Sequence, residues 1–151
     1  MIARICASYE SDRELARELV QDVLFAIWRA LPSYRGEASL KSFVARIAQF
    51  RAISHVATQV QRPGTTQLQE SLLSEDPAPE SQAIEADRRN RLLGAVRQLP
   101  LAYREAVILT LEDFTPNEIA SMLGVSPNVI SIRLTRARTA LRSILGEAAH
   151  E

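Results

Sequence analysis

The chain has 151 residues, 46% of them hydrophobic and 24% charged, which suits one ordinary globular domain or two small helical ones and excludes a disordered polymer. Its net charge of zero is unevenly spread: residues 1–62 carry nine bases and six acids, residues 63–87 six acids and no base, and residues 88–151 nine bases and six acids. One cysteine, Cys6, excludes an internal disulfide or a cysteine-rich zinc site, and no apolar run approaches the roughly 20 residues of a membrane span. Glu10, Asp12 and Glu14 come too early for a secretory signal, so a cytoplasmic protein without membrane insertion is expected.

Ile2, Ile5, Cys6 and Tyr9 fall at helical spacing and predict a short first helix. Ser11, with Glu14 three residues on, reads as a capping box that starts a second one. Leu15, Leu19, Val23, Ile27 and Leu31 recur every four residues, with Val20, Leu24 and Trp28 beside them, and Pro32 ends the run. The polar side of this helix is acidic through Glu18, Gln21 and Asp22. It is either a solvated face or a docking face for a basic partner helix.

A loop follows, and Ser39 opens a third helix through Leu40, Phe43, Val44, Ile47, Ile53 and Val56, which fades before Arg62 and Pro63. Tyr34, Arg35, Lys41 and Phe43 lie close together here, with Arg46, Gln49 and Arg51 on the helix after them. Rings and guanidinium planes can stack on unpaired bases while cations hold phosphates; alternatively the rings are core residues under a helix junction. Residues 63–79 are rich in Pro, Ser, Thr, Gln and acids and read as a flexible linker.

From Glu80 a helix is expected through Ile84, Leu92, Leu93 and Val96 to Leu99, and Pro100 starts another through Tyr103, Val107, Ile108 and Leu111. Thr115, Pro116 and Glu118 then spell a capped helix start, Gly124 a left-handed stop, and Ser126 with Pro127 a second start. The last helix carries Arg133, Arg136, Arg138 and Arg142, has no acid from 126 to 146, and is expected to end at Gly146. A short glycine turn joining two helices, the second basic, is how a helix-turn-helix offers a recognition helix to a DNA major groove. The plainer alternative is an αα-hairpin with a solvated basic face. No strand pattern appears. The expected fold is all-α, with two small helical domains at 1–62 and 80–151 joined by the linker at 63–79.

Enzymatic chemistry finds no support. His55 and His150, the only histidines, sit in different regions, and no glycine loop for phosphate is present. His55 reads as a capping or surface residue and Cys6 as a core thiol. No catalytic residue, cofactor or metal is expected.

Glu-Leu-Val-Gln-Asp-Val-Leu at 18–24, Ile-Trp-Arg-Ala-Leu-Pro-Ser-Tyr-Arg-Gly-Glu-Ala-Ser at 27–39 and Phe-Val-Ala-Arg-Ile-Ala at 43–48 resemble the second conserved region of bacterial sigma factors of the extracytoplasmic-function (ECF) group. Leu-Pro-Leu-Ala-Tyr-Arg-Glu-Ala-Val at 99–107 and the helix-turn-helix resemble its fourth region. The resemblance implies a factor that binds core RNA polymerase, directs it to promoters and assists melting, with an anti-sigma factor as a further partner. It implies that Glu18, Leu19, Val20, Gln21, Asp22 and Val23 dock on the polymerase. It implies that Tyr34, Arg35, Gly36, Glu37, Ser39, Lys41, Ser42, Arg46 and Gln49 melt and hold the −10 element. Ser126, Asn128, Val129, Ser131, Ile132, Arg133, Thr135, Arg136 and Arg138 would bind the −35 element.

Ser131 stands where the family commonly has a basic residue, so weaker or differently specific −35 binding is expected, and Phe50 and Ser54 stand where it has Asn and Asp, so the family's −10 preference does not carry over. The family's first helix is longer, so an N-terminus that is truncated or placed late is expected too. The 17 residues at 63–79 span at most about 60 Å, and two modules plus this linker can bridge promoter elements roughly 70 Å, or about two helical turns, apart. Two rivals are a stand-alone helix-turn-helix regulator and a decoy that binds a sigma-factor inhibitor without supporting initiation.

Overall fold

A computed structural model describes residues 1–61 and 79–147 as seven α-helices, with no strand among the described residues. The linker expected at 63–79 lies outside the described residues save for Pro79, as does His150. The expected all-α architecture is the one found.

The first three helices form one bundle. α1 (Ile2–Tyr9) buries Ile5, Cys6 and Tyr9. α2 (Arg13–Ala30) is capped by Asp12, whose carboxylate accepts the Leu15 N–H at 2.9 Å. The cap is therefore one residue later than the expected Ser11, because Asp12 reaches the third amide and Glu10 in turn accepts the Asp12 N–H. The buried stripe of α2 is Leu19, Val23, Ala26 and Ile27, while Leu31 falls in a short 3-10 turn (Leu31–Ser33) and is exposed.

α3 (Leu40–Val60) starts at Ser39, whose hydroxyl accepts the Ser42 N–H. Its buried face is Ser42, Ala45, Ala48, Gln49 and Ala52 rather than the larger Phe43, Val44 and Ile47, which flank it half-buried. Small residues at this spacing let α1 and α2 approach the α3 backbone closely.

The second half holds α4 (Glu80–Gln98), α5 (Leu101–Leu111), α6 (Pro116–Leu123) and α7 (Pro127–Glu147). The first three turns of α4, including Ile84, are exposed, and the helix buries Ala95, Val96 and the following Leu99, with Leu92 half-buried against them. α5 supplies Ala106, Val107, Ile108 and Leu109 to a core shared with Ile119 and Ala120 of α6 and Ile130 and Ala137 of α7.

α5 ends in a turn that the sequence did not announce. Asp113 takes φ 65°, the Phe114 N–H donates to the Leu109 carbonyl and the Asp113 N–H to that of Thr110. This is a Schellman stop built on aspartate, one of the few side chains that tolerates the left-handed region. α6 shows the glycine version, with Gly124 at φ 67° and the Val125 N–H on the Ala120 carbonyl. α7 runs one residue past Gly146, the expected end; helix termini fray over a residue or two.

The two halves touch. α1 packs on α4 and α3 on α6.

Candidate nucleic-acid interface

The helix-turn-helix is assembled as its caps require. The Thr115 hydroxyl accepts the Glu118 N–H at 3.2 Å and the Glu118 carboxylate accepts the Thr115 N–H at 2.7 Å, fixing the start of α6. The Ser126 hydroxyl accepts the Val129 N–H at the start of α7. Ile130 and Ala137 anchor α7 to the core, which leaves Ser126, Asn128, Ser131, Ile132, Thr135, Arg136 and Arg138 exposed on its outer side. Ser131, Ile132, Thr135 and Arg136 line one shallow concavity.

The Ser131 and Thr135 hydroxyls donate to the carbonyls one turn back, at 3.2 and 2.9 Å, so their oxygens stay free to accept from outside. Val129 is half-buried. Arg133 is half-buried on the α5 side. Burial of Glu105 on α5 pushes its carboxyl above the usual range, and the Arg133 charge pulls it back.

The loop before α3 has a mixed character. Arg35, Gly36, Glu37, Ser39 and Arg46 are exposed, and Gly36 takes φ 77°, which favours glycine. Tyr34 is half-buried against Phe43, with ring centroids 4.9 Å apart, and its hydroxyl donates to the Ala38 carbonyl at 2.5 Å, closing the loop on itself.

Three residues of the expected strand-binding set are otherwise engaged. Ser42 is buried beside the Ser39 cap. Gln49 is only 3% exposed and accepts the Tyr9 hydroxyl in the bundle core. Lys41 donates to the Glu112 carbonyl at 2.6 Å and lies 4.5 Å from the centre of the Phe114 ring, both in the other half of the chain. Phe50 and Ser54 are exposed.

On α2, Glu18, Gln21 and Asp22 are exposed and Val20 is half-buried, whereas Leu19 (3% exposed) and Val23 (0%) face the core. A docking partner can touch the first four. Leu19 and Val23 hold them in place. Asp22 lies 3.8 Å from Arg51 across a concavity that also takes in Leu15, Glu18 and His55.

His55 is neither a cap nor a free surface group: its Nε2 is 2.7 Å from the Glu10 carboxylate, tying α3 to the end of α1. Cys6 is buried, and that burial, with the charge of Asp22, pushes its thiol up to about 11. Leu24 and Trp28 run beside the apolar stripe expected of α2. Both are exposed, Trp28 at 70%, beside exposed Phe25, whose ring stacks near Trp28 and under Arg29. Their helical spacing could not separate a core stripe from an outward apolar patch.

No helix among the described residues is long and apolar enough to cross a membrane. Residues 1–62 match the Sigma-70 region 2 family model and residues 89–141 the Sigma-70 region 4 model. The RNA polymerase sigma factor CnrH of Cupriavidus metallidurans is 25% identical over 85% of this chain and 72% of its own. The ECF RNA polymerase sigma factor ShbA of Streptomyces griseus is 27% identical over 87% and 72%. The sigma factor RpoE of Bartonella quintana, solved in complex with the anti-sigma factor NepR, superposes with a TM-score of 0.73 at 22% identity, over 96% of this chain and 89% of that one. With both regions in order on one helical chain, the protein belongs to the ECF sigma factors, which direct RNA polymerase to promoters.

Proposed function

We propose that residues 1–62 and 80–151 are two functional units on either side of the acidic connector at 63–79, each with its own contact surface. The observation that carries this reading is that the acidic ridge of α2 and the outer side of α7 are both open on one chain. Glu18, Val20, Gln21 and Asp22 dock on core polymerase, with Leu24, Phe25 and Trp28 extending the surface. Arg35, Arg46 and the exposed Lys41 hold the non-template strand of the −10 element, and Tyr34 shapes the loop. The start of α7 reads the −35 element. The factor works in the cytoplasm and is not an enzyme. Similarity to a sigma factor solved with an anti-sigma partner supports such a partner here. A stand-alone regulator would leave the α2 surface without a task.

Asp22→Arg tests the docking assignment. Asp22 is exposed and its pair with Arg51 is a loose surface one, so stability should change by no more than about 1 kcal/mol. Like charges forced together at an interface cost several kcal/mol, so affinity for core polymerase should fall by about tenfold or more. A native-gel titration in which the variant binds core as well as the parent would remove the assignment.

The −35 assignment separates bases from phosphates. Asn128, in the first turn of α7, can pair with an adenine edge, and its loss should cost about 1–3 kcal/mol on the preferred site while relaxing preference at one or two positions. Arg136→Ala or Arg138→Ala should weaken all sequences alike and lower the salt slope by about one unit for each phosphate lost. Binding of the full chain, with core polymerase, to a promoter library at several salt concentrations reads both. Equal weakening of every sequence by Asn128→Ala would contradict the division.

A further inference from the structure

α3 is held to its bundle by Ser42, Ala45, Ala48, Gln49 and Ala52, whose spacing of three and four residues fixes which way the helix faces. Its outer side therefore carries Phe43, Arg46, Phe50 and Ser54. Phe43 is half-buried against Tyr34, and the other three are exposed. Phe50 is 69% exposed, in the middle of the helix rather than at a fraying end. A single exposed apolar side chain is ordinary on a protein surface. This one is set apart by what adjoins it.

Arg46 and Phe50 are four residues apart, so guanidinium and ring lie on adjacent turns, and Phe43 lies one turn further toward the loop before α3. Phe43 and Phe50 are separated by roughly 10 Å along the helix axis, at about 1.5 Å per residue, which two or three nucleotides cover at about 3.4 Å or more each. Ring, cation and ring thus extend the surface that begins with Tyr34 and Arg35. Arg51 is not part of it, because its guanidinium lies 3.8 Å from Asp22 on α2. α3 has no acidic residue from Leu40 to Val60, which suits an anionic strand along its length.

The middle of this face has no means of reading a base through hydrogen bonds. Phe50 has no polar side-chain atom. The amide beside it, Gln49, is 3% exposed and accepts the Tyr9 hydroxyl inside the bundle. What an exposed ring offers a nucleic acid is its flat surface, and stacking tolerates sequence because every base has such a surface. Bases of an intact duplex stack on one another, so the partner of this ring is a base already out of the duplex.

We propose that Phe50 is a stacking platform for one unpaired base of the non-template strand, with Arg46 on a phosphate beside it, so that this factor selects the base at that position by stacking strength and discriminates only modestly among the four. This role rests on the reading that the loop before α3 faces the melted strand. It adds which residue takes a base and how that base is chosen.

Holoenzyme made from core polymerase and the full chain tests the platform when titrated with a fluorescent promoter template that carries a preformed bubble over the −10 element. Run-off transcription supplies the promoter, and an abasic nucleotide is moved along the non-template strand. Phe50→Ala should weaken bubble binding by about tenfold and Phe50→Trp should keep it, in line with the contribution of one stacked base. One abasic position should weaken the parent as much and add no further loss in Phe50→Ala. At that position the four bases should differ by less than about fivefold in the parent. Binding to the unmelted duplex should not change. Both variants should keep the parent's urea midpoint, since the side chain is exposed.

A loss spread evenly over all abasic positions, or an equal loss on the unmelted duplex, would overturn the platform. So would a Phe50→Ala variant that binds the bubble like the parent while Arg35→Ala weakens it, a result that leaves the contact of the loop with the strand intact. Unchanged binding in both variants would overturn the platform and the loop assignment together.

Discussion

Leu109→Ala should lower the folding stability of the full chain by about 2–5 kcal/mol, against the roughly 5–15 kcal/mol that holds a typical domain together. Leu109 is fully buried in the core shared by α5, α6 and α7, and its carbonyl also receives the Phe114 N–H that stops α5. Truncation removes the transfer energy of the side chain and leaves a cavity between helices that cannot close without moving the helix-turn-helix. Leu111, two residues on and exposed, is the control: Leu111→Ala should change stability by no more than about 0.5 kcal/mol. Urea titrations followed by circular dichroism separate the two. Equal losses would mean that the buried face of α5 is assigned wrongly.

Arg35→Ala should reduce promoter opening by about tenfold while leaving closed-complex formation nearly intact. A hydrogen bond to a charged group contributes about 1.5–3 kcal/mol, and each 1.4 kcal/mol is a factor of ten. Arg35 is exposed in the loop before α3, so its loss threatens no core contact. Lys41→Ala is less simple. It removes a strand contact but also the contacts of Lys41 with the Glu112 carbonyl and the Phe114 ring, so a change in folding must be checked beside it. The double variant Arg35→Ala with Lys41→Ala should open the promoter more poorly than Arg35→Ala alone. Permanganate reactivity of unpaired thymines measures opening directly. Normal reactivity in the double variant would contradict the assignment of this loop to the single strand. Tyr34→Ala is a poorer probe, because the ring packs on Phe43 and its hydroxyl closes the loop.

Local chemistry explains which parts could be read in advance. The Thr115–Glu118 capping box, the Gly124 stop and the Ser39 cap each depend on residues within four positions of one another, and each stands where expected. The stop after α5 escaped notice because an aspartate does the work usually given to glycine. On α3 the expected Val44, Ile47, Ile53 and Val56 pack half-buried against the core, but bulk does not mark its fully buried face. Three alanines form the contact instead, since close helix packing rewards absence of side chain as much as its presence.

On α2 the apolar spacing was real, but it covered two directions, one into the core through Leu19, Val23 and Ile27 and one outward through Leu24 and Trp28. The α2 and α7 surfaces were legible as charge patterns. Gln49 was not, because its burial depends on Tyr9, 40 positions away. The Arg4–Glu112 pair spans 108 positions and carries no periodic signal at all.

As a sigma factor, this chain gives core polymerase promoter specificity. Run-off transcription with core enzyme and the full chain tests it most directly, on duplex templates drawn from a library of candidate promoters. Transcripts are expected with fixed start points that depend on both the chain and the template sequence, and that weaken with Asp22→Arg and with Arg35→Ala. A chain that binds core polymerase firmly yet yields no template-specific transcript, on any template, would contradict it and would favour the inhibitor-binding decoy.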